Sequence, residues 1–303
     1  MQGHRAWKAP PRKLPFSVQA CLEAAAGPLA GSAFVRAGSS PALPAASVVA
    51  AGRTDAGVHA IGQVCHVDLD RKDASVVLRA VNARLGRMPV RVTAVECVDD
   101  SFHARFSASA REYWYLVWAS TKRMDAPVHT RDRLWFVDGT SRLDVAAMQL
   151  AAASLVGRHD FVSFSASSPS TRDMVTVRDL LACDVVPLND DGAMNRAPAG
   201  LLAGLGALDP AADTVVGLRF RASGFLYHQV RKMTEVLVRV GRGQLAAGDV
   251  ASIRDARDRS VLNARLAPAH GLYFTDVSYG TPTWTAPAAA CWPPATPERT
   301  SLQ

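Results

Sequence analysis

The chain lacks the usual devices for fixing a metal or a disulfide framework. Its cysteines number five, an odd count, and Cys21, Cys65, Cys97, Cys183 and Cys291 are scattered. None forms a CxxC pair, and none falls in a Cys/His ligand spacing. Free thiols in a reducing compartment are therefore expected, and neither structural zinc nor any other metal is. No apolar run approaches the ~20 residues of a membrane span. No fixed-period repeat occurs. Acid is missing from residues 1–14, which carry Arg5, Lys8, Arg12 and Lys13. That start reads as disordered, with a transit-peptide remnant or an RNA-touching arm as alternatives.

What is present is a basic chain with ample core. Lys and Arg total 34 against 27 acids, for a net charge of +7, which suits a polyanionic partner. A chain of 303 residues, 49% hydrophobic, can build one large domain or two smaller ones.

The densest signal lies at residues 47–69. A β-branched run, Ser47-Val48-Val49-Ala50, precedes a polar turn bounded by Gly52 and Gly57, and a second β-branched run follows. The pattern predicts strand, tight loop, strand, with Arg53 and Asp55 on the loop. No second carboxylate shares that loop; the nearest acids are Asp68 and Asp70. A paired-carboxylate hydrolase therefore gets no local support. A neighbouring arginine favours the ionised carboxylate, which can attack an electrophilic carbon. Taken on spacing alone, a surface ion pair between Arg53 and Asp55 is the plainer reading.

Elsewhere the pattern alternates helices and strands. Val18, Cys21, Leu22 and Ala25 recur at helical spacing over 17–29. Residues 30–46 are small, rich in Gly, Pro and Ser, and read as a loop. Asp73 reads as the N-cap of a helix to about Leu85. Residues 90–98 read as a strand. Residues 111–118 form an aromatic strand, with Tyr113, Tyr115 and Val117 on one face and Trp114, Leu116 and Trp118 on the other. Asp144 caps an Ala/Leu helix ended by Gly157. Strands follow at 177–187 and 214–222, then a helix at about 225–241 with Leu226, Val230, Met233, Leu237 and Val240 inward. A helix at 249–258 and a strand at 272–279 complete the set. Residues 189–213 read as a low-complexity surface insertion, and the Pro/Ala-rich tail from 281 as disordered.

The string Gly52-Arg53-Thr54-Asp55-Ala56-Gly57-Val58-His59-Ala60 resembles the signature of TruA-type tRNA pseudouridine synthases. Five further segments match in the same order: Phe102–Ala108, Arg111–Tyr115, Gly157–Phe161, Phe225–Arg231 and Ala267–Leu272. The resemblance covers roughly residues 15–280, and its last two segments are similar to the eukaryotic branch of the family. The family's first strand and turn precede the first helix, and this chain starts too late to supply them.

This resemblance implies an α+β pseudouridine synthase fold. Two ferredoxin- or RRM-like halves, 15–118 and 119–280, would join in one mostly antiparallel sheet with a central cleft. It implies an isomerase that needs no cofactor, turns uridine into pseudouridine in the anticodon arm of tRNA, and works as a homodimer. Messenger RNA as a second substrate is left open, as is a mitochondrial against a cytoplasmic or nuclear location; secretion is not implied. Asp55 would be the nucleophile. Arg53 and Arg231 would keep it charged, and Tyr113 would stack on the target base. His103, Arg105, His159, Arg172 and Arg178 become candidate RNA contacts. Two alternatives stand beside this: an inactive RNA-binding relative or truncated form of the same fold, and a retaining glycosidase or nucleoside hydrolase, which would need a second acid near Asp55.

Overall fold

The computed structural model describes residues 17–30, 46–69, 73–122, 128, 130–137, 142–166, 175–189, 192, 197–198, 201, 209, 211–262 and 266–280. The basic start, most of 30–46, much of 189–213 and the tail from 281 lie outside the described residues. The chain groups into two compact units. One holds the described residues up to Ala51 together with Val64–Ser107; the other holds Gly52–Gln63 and Ala108–Gly280.

The first unit is built on two helices. α1 (Val18–Ala26) is capped by Ser17, whose hydroxyl accepts from the Ala20 amide. α2 (Ala74–Leu85) is capped by Asp73, whose carboxylate accepts from the Ser75 amide. Their apolar stripes meet: Cys21, Ala25 and Ala26 pack in one cluster with Val77, Val81 and Leu85. Strands β1 (Val48–Ala50) and β3 (Cys65–Val67) pair antiparallel beside them. The strand expected at 90–98 does not form. At Val92 the backbone pairs with a side chain instead. The Asn82 side chain donates to the Val92 carbonyl at 2.8 Å and accepts from the Val92 amide at 3.0 Å. Val90, Val92 and Val95 still pack on the helical cluster, so the apolar residues were real and their period was not.

The second unit carries a seven-stranded sheet. Its path is β2 (His59–Ala60), β9 (Leu272–Tyr279), β4 (Ala108–Ser120), β8 (Asp213–Ala222), β7 (Val177–Pro187) and β6 (Gly157–Asp160), with β5 (Trp135–Val137) beside β4. All pairings are antiparallel except β2 with β9 and β4 with β5. This is an α+β fold. β4 is the central strand, and its alternation splits the aromatics as expected. Trp114, Leu116 and Trp118 enter one cluster with Val215 and Tyr273. Tyr113 and Tyr115 turn to the opposite face.

Among the described residues, three α-helices accompany this sheet. α3 (Val145–Ala153) is capped by the Asp144 carboxylate on the Ala147 amide and stops before Gly157. α4 (Gln229–Gly241) buries Val230, Met233, Leu237 and Val240. It starts four residues later than the apolar spacing predicts, because His228 sits at φ 63°, in the left-handed region, and cannot be helical. The Gln229 side chain takes the Leu226 amide at 2.7 Å, in place of a side-chain cap from His228. α5 (Asp249–Asp255) follows.

Candidate active site

Between β1 and β3 the chain runs out as the 52–63 segment, which is fixed within the second unit by β9. His59 and Ala60 pair with Tyr273 and Phe274. The Ile61 amide donates to the Phe274 carbonyl at 2.9 Å, and the Gln63 side chain closes the base on the Gly52 carbonyl at 2.9 Å. The Val58 amide turns back onto the Asp55 carbonyl, and Gly57 takes φ 86° to permit that turn. Gly52 serves differently: a Cβ there would lie 3.1 Å from the Phe274 ring. It is small to let the ring in, not to adopt an unusual angle.

The turn carries the Asp55 carboxylate to the start of α4. Arg231 Nη1 donates to Asp55 Oδ2 at 2.7 Å, and His228 Nε2 meets the same oxygen at 3.1 Å. Arg231 is itself held, because its Nε donates to the Ala267 carbonyl at 2.8 Å. The Tyr115 hydroxyl donates to the next carbonyl, Pro268, at 2.7 Å. So residues 267–268 are tied at once to α4 and to β4. The side chains of Arg231 and His228 are largely covered, at 14% and 18% exposed, while Asp55 keeps 30%.

Charge within the site is divided between its two donors. Burial lowers the His228 pKa from its ordinary value; Asp55 opposes the shift, and Arg231 and Lys232 reinforce it. His228 is therefore a neutral imidazole near pH 7. Its ring lies 3.1 Å from the carboxylate without adding charge, and Arg231 supplies the positive charge. Tyr113 lies alongside on β4, buried edge-to-face between Phe225 at 5.2 Å and Phe274 at 4.8 Å. Burial raises its phenol pKa, so the hydroxyl stays protonated. That hydroxyl faces the Gly52 end of the loop, 3.7 Å from where a Cβ would stand.

Of the residues the sequence singles out, Asp55, Arg231 and Tyr113 come together. Arg53 does not pair with Asp55: it is exposed, and the carboxylate binds Arg231 and His228 instead. The local surface pair suggested by spacing is thus absent. His159 and Arg178 are opposite each other on β6 and β7. His159 Nε2 lies 3.0 Å from the Val156 carbonyl, and Arg178 donates to the Val175 and Val177 carbonyls. Neither has a hydrogen bond or ion pair to Asp55. His103 and Arg105 belong to the first unit. There the His103 ring accepts the amides of Arg105 and Phe106, and the Arg105 guanidinium lies over the exposed Phe106 ring. Arg172 lies outside the described residues. Sequence reasoning missed His228. Its signal was available: it stands three residues before Arg231, inside a matched segment. Among the described residues no group of three His, Cys, Asp or Glu could hold a metal ion.

A carboxylate set against one guanidinium and one imidazole, beside a buried tyrosine, is the arrangement these residues make. The family model of tRNA pseudouridine synthases matches residues 9–107 and 151–280, and the chain belongs to that family. Among its relatives, a tRNA pseudouridine synthase A of Caulobacter sp. (strain K31) is 38% identical over 87% of this chain and 88% of its own length. One of Paracoccus denitrificans (strain Pd 1222) is 38% identical over 89% of each chain. One of Azorhizobium caulinodans is 40% identical over 77% of this chain and 79% of its own. All three are bacterial, so they lend nothing to the eukaryotic-branch wording of the last two segments.

Proposed function

We propose that the chain isomerises uridine to pseudouridine in tRNA, with Asp55 as its catalytic group. The N1–C1′ bond breaks, the uracil turns in place, and C5 bonds to C1′; the C5 proton ends on N1, so composition is unchanged. Asp55 acts as nucleophile on the ribose side, and Arg231 keeps it aimed. Tyr113 packs against the target base, in a contact worth ~1–3 kcal/mol for base–aromatic stacking. The target nucleotide leaves its stack to reach the pocket, and the exposed Arg53 fills the space it vacates. Preorganised charge supplies much of the rate.

The observation that carries this reading is the 2.7 Å contact between Arg231 and Asp55, beside Tyr113, in a member of this family. The net charge of +7 supports a polyanionic substrate. His103, Arg105, His159, Arg172 and Arg178 would meet the RNA backbone, and the anticodon arm is the target region. The working form is a homodimer, which light scattering tests. The deciding experiment maps pseudouridine by nucleotide in a mixed tRNA pool treated with native protein or with Asp55→Asn. Signal at anticodon-arm positions, lost in the variant, is expected. Equal signal from both proteins would refute the role of Asp55.

A further inference from the structure

His228 has a backbone conformation that costs energy and a side chain that spends it on Asp55. Its φ of 63° is one of two positive values among the described non-glycine residues; the other is Arg257, at the end of α5. Non-glycine residues rarely adopt this region, and when they do, the surroundings must hold them there. Here the Tyr227 ring stacks on the imidazole at 3.7 Å between centroids, and Nε2 reaches Asp55 Oδ2. The left-handed angle sends the side chain back from the helix start toward the 52–57 loop. A helical residue at this position would project elsewhere.

Both side chains converge on one oxygen. Arg231 Nη1 donates to Oδ2 at 2.7 Å, His228 Nε2 lies 3.1 Å from the same atom, and Oδ1 receives no hydrogen bond from a described residue. We propose that His228 is a positioning residue which, with Arg231, locks Asp55 by Oδ2 and leaves Oδ1 as the reacting oxygen. One donor alone would let the carboxylate pivot about its Cβ–Cγ bond and exchange its oxygens. Two donors from different directions stop that rotation. Dividing the work has a chemical reason: a second cation on the carboxylate would blunt the nucleophile, whereas an uncharged N–H orients it with less loss of electron density. This role rests on Asp55 being the catalytic group.

Two substitutions separate side chain from backbone. His228→Gly accepts the left-handed angle but removes the donor. His228→Gln keeps an N–H at similar reach but strains the backbone. On a tRNA substrate, His228→Gly is expected to lose about 10- to 100-fold in kcat with KM little changed, the loss expected for a hydrogen bond to a charged group. His228→Gln is expected to keep more turnover than His228→Gly while melting lower. If His228→Gly turns over as fast as His228→Gln or faster, or if its loss lies in KM, the proposal is overturned. Asp55→Asn is run beside them. If it is inactive while His228→Gly keeps wild-type kcat, only the role of His228 falls; if Asp55→Asn is itself active, the reading of the site falls too. A measurement on native protein needs no variant to fold. Nitrogen-15 NMR at neutral pH should show the Nε2–H tautomer of His228, and an Nδ1–H tautomer would overturn the proposal.

Discussion

Replacing Arg231 by methionine tests the centre of the site while keeping most of the apolar stem. Two hydrogen bonds go together: the 2.7 Å bond to Asp55 and the 2.8 Å bond to the Ala267 carbonyl. A hydrogen bond to a charged group is worth about 1.5–3 kcal/mol, and breaking a fully buried ion pair costs about 3–5 kcal/mol. Asp55 is 30% exposed, so water recovers part of its loss, and the low end applies. Adding the orphaned carbonyl gives about 2–3 kcal/mol, or about 4–12 °C in melting temperature for a unit of this size. The loss in turnover should be larger than stability alone implies. Removing a preorganised donor at a reacting centre commonly costs about 100- to 1000-fold. Arg231→Lys is the control: it keeps the charge as a point but cannot serve both oxygens, so it should fall between. Scanning calorimetry and single-turnover pseudouridine formation read the two effects separately. A methionine variant that melts within about 1 °C of native protein and turns over at the native rate would refute the assignment.

Tyr113 packs between Phe225 and Phe274, so Tyr113→Ala should cost about 3–5 kcal/mol in urea unfolding while Tyr113→Phe costs much less. Equal midpoints for the alanine variant and native protein would contradict that packing. A Cβ on Gly62 would lie 1.9 Å from the Thr275 carbonyl oxygen, so Gly62→Ala must push the 52–63 segment off β9. It should cost about 1–3 kcal/mol and lower turnover, whereas Gly224→Ala, with nothing within 4 Å, should be near neutral. If the two alanine variants behave alike, the loop is not seated as described. Burial is the leading cause of lowered pKa values at His66, His228 and His270. All three bind protons more readily when unfolded, so stability should fall as pH drops through the ordinary histidine range near ~6.5 and level off below their folded values. Urea midpoints that stay flat or rise between pH 7.5 and about 5.5 would refute the sign.

How far the sequence foretells this molecule depends on whether a residue's partner is local. Asp73 caps α2, and Asp144 caps α3, because a cap is satisfied within three residues. β7 and β9 have the bounds that their apolar runs suggest. Residues 90–98 fail for the same physical reason in reverse: apolar spacing shows burial, but only a partner strand makes a strand, and at Val92 the backbone is bonded to Asn82 instead. The start of α4 fails because apolar periodicity runs straight through His228, and nothing in that period reports a left-handed angle. The site is the extreme case. Asp55 has an arginine two residues away and binds one 176 residues away. Spacing favours the near one because the unfolded chain would; the turn at Gly57 and the register of β2 on β9 decide otherwise. The family signature names Asp55, Tyr113 and Arg231 without explaining their contact. Geometry adds the fourth member, His228, whose ring lies 3.1 Å from the Asp55 oxygen that Arg231 also holds.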